Sequence, residues 1–194
     1  MFPRFALFLA IVTGGLLAGG CQIAQPSAPS RHYVLGTADD GGSTELDKSG
    51  PTVVIEEVRI PEYLNRRELA IRRSGNKIDY RSLDLWAEPL TAGVARALRI
   101  ALEQEMPEAL LVRGPGMMNP KDLRLSVHFD RFEVHESGKA TILARYTILR
   151  NGQAQHGIFF NSVAVSGAAT SDEVAALSAL LEQFAGHLSE RIER

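Results

Sequence analysis

The 194-residue sequence predicts a single domain, α/β in content and α+β-like in arrangement: a mixed, largely antiparallel sheet with two amphipathic helices packed on one face. Three observations carry that expectation. Apolar residues alternate with polar ones through Leu123, Leu125, Val127 and Phe129, the period of a half-buried strand. The turn dipeptides Ser137-Gly138 and Asn151-Gly152 punctuate the β-rich stretch that follows, so three strands should succeed one another antiparallel. Two other segments repeat their apolar residues every three or four positions, as helices with one buried stripe do.

In chain order, Tyr33-Val34-Leu35 is the first short strand. The polar stretch that follows, containing DDGGSTELDKSG, has no face to bury and reads as a mobile loop over residues 37–50. Thr52 to Ile60 is a strand with Val53, Ile55 and Val58 apolar, and Pro61 removes a ladder donor and turns the chain. Glu68 to Arg73 and Lys77 to Arg81 flank Ser74-Gly75-Asn76 as a hairpin. Leu83, Trp86, Leu90, Val94, Leu98, Ala101 and Leu102 share one helical face, with Ser82 or Asp84 as cap, Pro89 tolerated near the first turn, and an end near Met106-Pro107.

Ala109 to Arg113 is then a short strand running into Gly114-Pro115-Gly116. Phe132 and Val134 continue the Leu123 alternation in opposite phase, which a bulge near Asp130-Arg131 reconciles. Ala140 to Leu149 follows, and Asn151-Gly152 turns into its neighbour. Thr170-Ser171-Asp172-Glu173 has the pattern of a capping box, and Leu177, Leu181, Phe184, Leu188 and Ile192 form the stripe of the last helix. With both helices on one face, the other sheet face is left exposed or in contact with a partner.

The amino terminus supplies the first functional expectation. Met1 to Arg4 is a short positive region, Phe5 to Leu17 an apolar run too short to span a bilayer, and Ala18-Gly19-Gly20 a set of small residues suited to cleavage, so residues 1–20 read as an export signal. Cys21, the single cysteine, follows at once. This arrangement resembles a bacterial lipobox, with Ala18 where leucine is usual, and implies acylation of Cys21. An ordinary signal peptide would cut at the same bond and leave a free thiol, a liability in an oxidising compartment. Gln22 is not the aspartate that resembles an inner-membrane retention signal, so the expected address is the outer membrane, lipid-anchored at its periplasmic face. Residues 21–32 then comprise the lipidated cysteine and a flexible tether rich in Pro, Ser, Gln and Ala, and 33–194 the folded domain.

Composition and motifs argue against most chemistry. The formal charge is −2, and removing residues 1–20 leaves 20 basic against 23 acidic residues, no footprint for nucleic acid. One cysteine permits neither a disulfide framework nor a cysteine-rich zinc site, and His32, His128, His135, His156 and His187 are too scattered for metal, so neither metal nor cofactor is expected. Gly114-Pro115-Gly116 lacks the rest of a phosphate-binding loop. Ser126, His128 and Asp130 share a strand face but stand in a row about 7 Å apart rather than in a relay, and Glu56-Glu57 alternate faces. No catalytic residues are expected and the chain does not read as an enzyme. Arg59, Arg66, Arg67, Arg72, Arg73 and Lys77, set against Glu62 and Glu68, could meet anionic headgroups or an acidic partner, or could simply keep a hairpin edge solvated.

The segment IPEYLNRRELAIRRSGNKIDY, followed by LDLWAEPLTAGVARALRIAL, resembles the PqiC-like, or ABC-type transport auxiliary, lipoprotein family. The matching residues are Tyr63, Leu64, Asn65, Arg66, Arg72, Trp86, Ala87, Glu88, Pro89 and Leu90, with HYVLG at 32–36, LRLSVHFDRFEV and ATILARYTILRNG resembling further strands. Asn65 stands where aspartate is common and Tyr146 where tryptophan is frequent. The resemblance implies a non-catalytic adapter or docking lipoprotein that works with an MCE-domain protein and inner-membrane transporter components to move phospholipids or other hydrophobic molecules. It allows a ring-like homo-oligomer. It marks Tyr63, Asn65, Arg66 and Arg72 as partner-binding candidates and Trp86, Glu88, Pro89 and Leu90 as a structural motif. A structural or outer-membrane-assembly lipoprotein is the alternative reading, with an envelope hydrolase behind it.

Overall fold

A computed structural model describes residues 28–36, 48–114 and 122–194. The export signal, Cys21 and most of its tether, residues 37–47 of the expected loop, and Pro115-Gly116 lie outside the described residues.

Among the described residues the fold is an open, eight-stranded mixed sheet with two helices, an α+β domain. The strands are β1 (Arg31–Tyr33), β2 (Thr52–Arg59), β3 (Glu68–Arg72), β4 (Ile78–Trp86), β5 (Leu110–Arg113), β6 (Leu123–His135), β7 (Lys139–Arg150) and β8 (Gln153–Ala164). The helices are α1 (Leu90–Glu105) and α2 (Thr170–Ile192). The two longest pairings, β6 with β7 and β7 with β8, are antiparallel, as is the β3–β4 hairpin. The β1–β4, β2–β5, β2–β6 and β3–β6 pairings are parallel.

The long strand β6 organises the sheet. Along one edge it pairs with β7 over nearly its whole length, with the register shift between Phe129 and Arg131 at the expected bulge. Along the other edge it meets two strands in succession: β2 opposite Leu123 to His128, then β3 opposite Val134 and His135. The gap between them is filled by residues 60–67, which leave the sheet through a short 3-10 turn, Glu62–Leu64. The bulge keeps both Phe129 and Phe132 on the helix side, where they stack edge to face at 5.6 Å and Phe129 meets Phe184 of α2 at 6.0 Å. Tyr146 and Phe159 complete this aromatic core against Phe184 and His187. The α1 residues Val94, Leu98 and Leu102 are fully buried, as are Leu180, Phe184 and Leu188 of α2.

Three boundaries differ from the sequence reading. The helix stripe of Leu83, Trp86 and Leu90 is interrupted: Leu83 to Trp86 belong to β4, Leu83 is exposed, and α1 begins only at Leu90 behind Pro89. Neither Ser82 nor Asp84 caps it, because Pro89 itself holds the N-cap position in extended backbone, its carbonyl accepting from Ala92 and Gly93. The first strand starts at Arg31, two residues ahead of Tyr33-Val34-Leu35. In α2 the cap is Ala169, one residue before Thr170, and Asp172 accepts a bond from the Ala169 N–H at 3.0 Å. No helix among the described residues is long and apolar enough to cross a membrane.

Candidate functional site

The two halves of the family-like sequence, residues 60–67 and 86–90, meet in space. The turn is built locally: Leu64 and Asn65 donate to the carbonyls of Pro61 and Glu62, and Arg66 to that of Leu64. The Trp86 N–H then donates to the Arg67 carbonyl at 2.7 Å, joining the two segments. Leu64 and Trp86 are buried and line a small crevice with Leu90, Phe132 and Leu177. Leu64 thus plugs the gap in the ladder from the helix side while Tyr63, its neighbour, closes it from the opposite side.

Beneath Tyr63 lies Glu133, a carboxylate on the sheet face opposite the helices that is only 2% exposed. The Tyr63 hydroxyl donates to Glu133 Oε2 at 2.7 Å, the Arg72 guanidinium grips both carboxylate oxygens, and Arg131 Nε donates to Oε1 at 3.0 Å. Burial opposes the ionisation of Glu133, but the bonds from Arg72, Tyr63 and Arg131 outweigh it and hold the carboxyl below its ordinary value. Burial, with the neighbouring Glu133 charge, pushes the Tyr63 phenol up to about 12. Tyr63 therefore stays a neutral donor.

A second buried carboxylate, Asp84, is 4% exposed and joins the entry of the chain to α2. Arg31 binds it through Nε at 2.7 Å and Nη2 at 3.1 Å, Tyr33 donates at 3.1 Å, and Thr170 donates from the first turn of α2 at 3.2 Å. Burial again opposes ionisation, and the bonds from Arg31 and Tyr33 prevail to lower the pKa of Asp84. Arg81 adds a bond to Glu173 of α2 at 2.7 Å. Glu88 accepts from Arg96 at 2.8 Å, and Arg96 also reaches the Leu35 carbonyl, so the turn before α1 is fastened to that helix.

Above this framework sits an open groove of about 220 Å³ lined by Asn65, Arg66, Arg67, Trp86, Ala87, Glu88 and Pro89. Arg66 lies over the Tyr80 ring at 4.7 Å, and the Tyr80 hydroxyl is fixed to the Tyr63 carbonyl. Among the described residues, no carboxylate lies within ion-pair distance of Arg66 or Arg67. Of the four contact candidates, then, Tyr63 and Arg72 are spent on Glu133, whereas Asn65 and Arg66 line the groove. Trp86, Glu88 and Pro89 line the same groove, whereas Leu90 is buried in the crevice beside Leu64. Cys21 lies outside the described residues.

Sequence reasoning missed Glu133, whose place in the polar phase of β6 is that of any solvated residue, and it named Arg67 only within the wider basic cluster, not beside Arg66 as a lining residue of one groove. The row of Ser126, His128 and Asp130 is broken up by separate partners: His128 faces Glu57 at 3.4 Å and Asp130 is held by Arg145 at 2.6 Å. No group of three His, Cys, Asp or Glu side chains suited to a metal occurs among the described residues.

Residues 33–189 match the family model described as ABC-type transport auxiliary lipoprotein component. No curated protein matches the chain. Among solved structures, one crystal structure of an uncharacterized protein superposes with a TM-score of 0.74 at 18% identity, covering 85% of this chain and 99% of its own. Protein XCC0632 from Xanthomonas campestris superposes with a TM-score of 0.58 at 17% identity, covering 84% and 85% respectively. At these identities the likeness is one of fold.

Proposed function

The chain belongs to the ABC-type transport auxiliary lipoprotein family, and from that premise we propose that it is the non-catalytic docking lipoprotein of an envelope transport system. In this reading Cys21 is acylated and holds the domain at the periplasmic face of the outer membrane. The domain engages an MCE-domain protein and, through it, inner-membrane transporter components that move phospholipid or another hydrophobic molecule. Neither cofactor nor metal takes part.

The observation that supports a docking role is the pair of guanidinium groups without a carboxylate partner among the described residues, Arg66 and Arg67, in a groove lined by Trp86, Ala87 and Pro89. The other polar groups of the segment are consumed internally, Tyr63 and Arg72 by Glu133 and Glu88 by Arg96. Two adjacent cations on a firm apolar floor fit an acidic segment of a partner protein. Tyr63 and Arg72 act as positioning residues beneath that surface, and Asn65, Arg66 and Arg67 as its contacts.

Crosslinking followed by affinity purification of the detergent-extracted chain tests both levels. Recovery of an MCE-type protein is expected, and the double variant Arg66→Glu, Arg67→Glu should lower that recovery at least tenfold while leaving the thermal melt unchanged. Undiminished recovery by the variant would remove the groove from the reading. Recovery of assembly factors and no transport component would instead favour a structural or assembly lipoprotein.

A further inference from the structure

The two helices start at one end of the domain and finish at the other, and the two ends differ in chemistry. The N-cap of α1, Pro89, lines the Arg66 groove, and the first residue of α2, Thr170, is bonded to Asp84. At the opposite end the C-cap of α1, Met106, and the last residue of α2, Ile192, line one open pocket of about 530 Å³, more than twice the volume of the groove. With 16 residues in α1 and 23 in α2, the pocket lies roughly 24 Å along α1 from the groove and roughly 34 Å along α2 from Asp84, at about 1.5 Å per helical residue.

The pocket has an apolar lining and an acidic rim. Met106, Ala109, Leu123 and Ile192 are buried, and the exposed Pro51 and Pro107 bring no N–H to its lip. The charged groups around them are unequal. Arg150 donates to the Ile192 carbonyl, so its guanidinium is spent on the end of α2. Glu108 and Glu193 are exposed, and among the described residues neither has a cation within ion-pair distance. The Glu108 carboxylate accepts from the Ser49 hydroxyl at 2.9 Å, a neutral partner. The helix ends add charge of the same sign, since the C-terminus of a helix carries roughly half a negative charge. Arg191 answers that of α2, but the last turn of α1 has no basic residue.

We propose that this pocket receives an apolar side chain from a basic segment of a partner protein, with the lysine or arginine residues that flank it meeting Glu108 and Glu193. An anionic amphiphile would set its own charge against both glutamates while Arg150 is already engaged, so charge complementarity selects a cationic segment. The preference is the reverse of that of the groove, and the two sites share no lining residue. Their positions differ as well. The tether enters at Arg31, which grips Asp84 at the start of α2, so in an anchored chain the pocket occupies the end away from the point of attachment. The pocket therefore adds a second contact of opposite charge and does not depend on what the groove binds.

Short fluorescent peptides added to the full-length chain in non-ionic detergent, with anisotropy read against empty micelles, test the assignment. The probes are Lys-Gly-Leu-Phe-Gly-Lys, the same peptide with Glu for Lys, and the same peptide with Ser for Leu and Phe, all with blocked ends. The first is expected to bind at least tenfold more tightly than either of the others. Glu108→Lys, Glu193→Lys should erase that margin with an unchanged circular dichroism spectrum. Should that variant misfold, Glu108→Gln, Glu193→Gln, which preserves an acceptor for Ser49, is expected to reduce the margin at least threefold. Absence of binding by the lysine peptide overturns the proposal, as does equal binding by the serine peptide or a margin that survives in both variants. Tighter binding by the glutamate peptide also overturns it and gives the pocket to anionic amphiphiles. Arg66→Glu, Arg67→Glu should leave the lysine peptide's affinity unchanged, which separates a failure of this pocket from a failure of the groove; loss of binding in that variant overturns the pocket as the site.

Discussion

Glu133 shows how much of this fold depends on one side chain. A buried carboxylate is costly unless paired, and here Arg72, Arg131 and Tyr63 converge on it from three directions. Replacing it by glutamine would leave two guanidinium groups facing a neutral amide. Glu133→Gln is expected to lose about 3 kcal/mol of stability at pH 7, the lower end for a broken buried pair because both arginines keep some access to water. The folded pKa of Glu133 is lowered, so its stabilisation is fully present above the ordinary carboxylate value of about 4.3 and is lost as pH falls through the lower folded value. Wild-type urea-unfolding midpoints should therefore drop steeply below about pH 4, and the variant should show a flatter acid limb. None of this was legible in the sequence, where Glu133 is one polar letter in an alternating strand. Two of its three partners, Arg72 and Tyr63, lie 61 and 70 positions away.

At the scale of elements, periodicity was a reliable guide wherever one period ran without interruption. The α2 stripe, the β6 bulge and the Asn151-Gly152 hairpin all lie where alternation and turn chemistry put them. The reading failed at the join between β4 and α1, because Leu83, Trp86 and Leu90 happen to be spaced as on a helix. Pro89 marks the true boundary: the residue before a proline avoids helical backbone, and the strand ends at Trp86 with Ala87 and Glu88 in a bend before it. Asp84, read as a cap for α1, does serve a helix start, but that of α2 through Thr170. The β7–β8 pair offers a test of packing between elements. A Cβ on Gly157 would lie 2.2 Å from the Tyr146 ring, whose hydroxyl is held by His187 at 2.9 Å. Gly157→Ala should cost about 1–3 kcal/mol, read as a lower urea midpoint with an unchanged m-value.

For the whole molecule, the sheet is a division of labour. Helices and aromatic residues cover one face, the 60–67 excursion closes a gap in the ladder, β6 and β7 separate the β8 edge from the groove, and β1, where the chain enters the sheet, adjoins the groove through the Ala87 N–H bond to the Tyr33 carbonyl. The candidate site was half legible in sequence: its segments were recognisable, but which arginines were free depended on contacts only the fold creates. The membrane address is open to direct measurement. Cys21→Ala is expected to move the chain from the membrane pellet to the soluble fraction after cell lysis, and retention in the pellet would refute the anchor.

The ion pair of Arg31 with Asp84 acquires a mechanical meaning from its position. Arg31 is the first residue of the sheet and stands ten positions after Cys21, so an anchored chain has at most about 36 Å of slack before load reaches it. Because β1 lies parallel to β4 and is pulled from its N-terminal end, tension acts along the strand and loads its hydrogen bonds together, in shear, rather than unzipping them one by one. The forked grip on Asp84, itself bonded to Thr170, passes that tension into the start of α2. The clamp works as strain relief, as on a cable where it enters its housing: load from the tether meets the Arg31–Asp84 fork and the start of α2 before it reaches the Tyr33 carbonyl, which holds the Ala87 N–H at the edge of the groove.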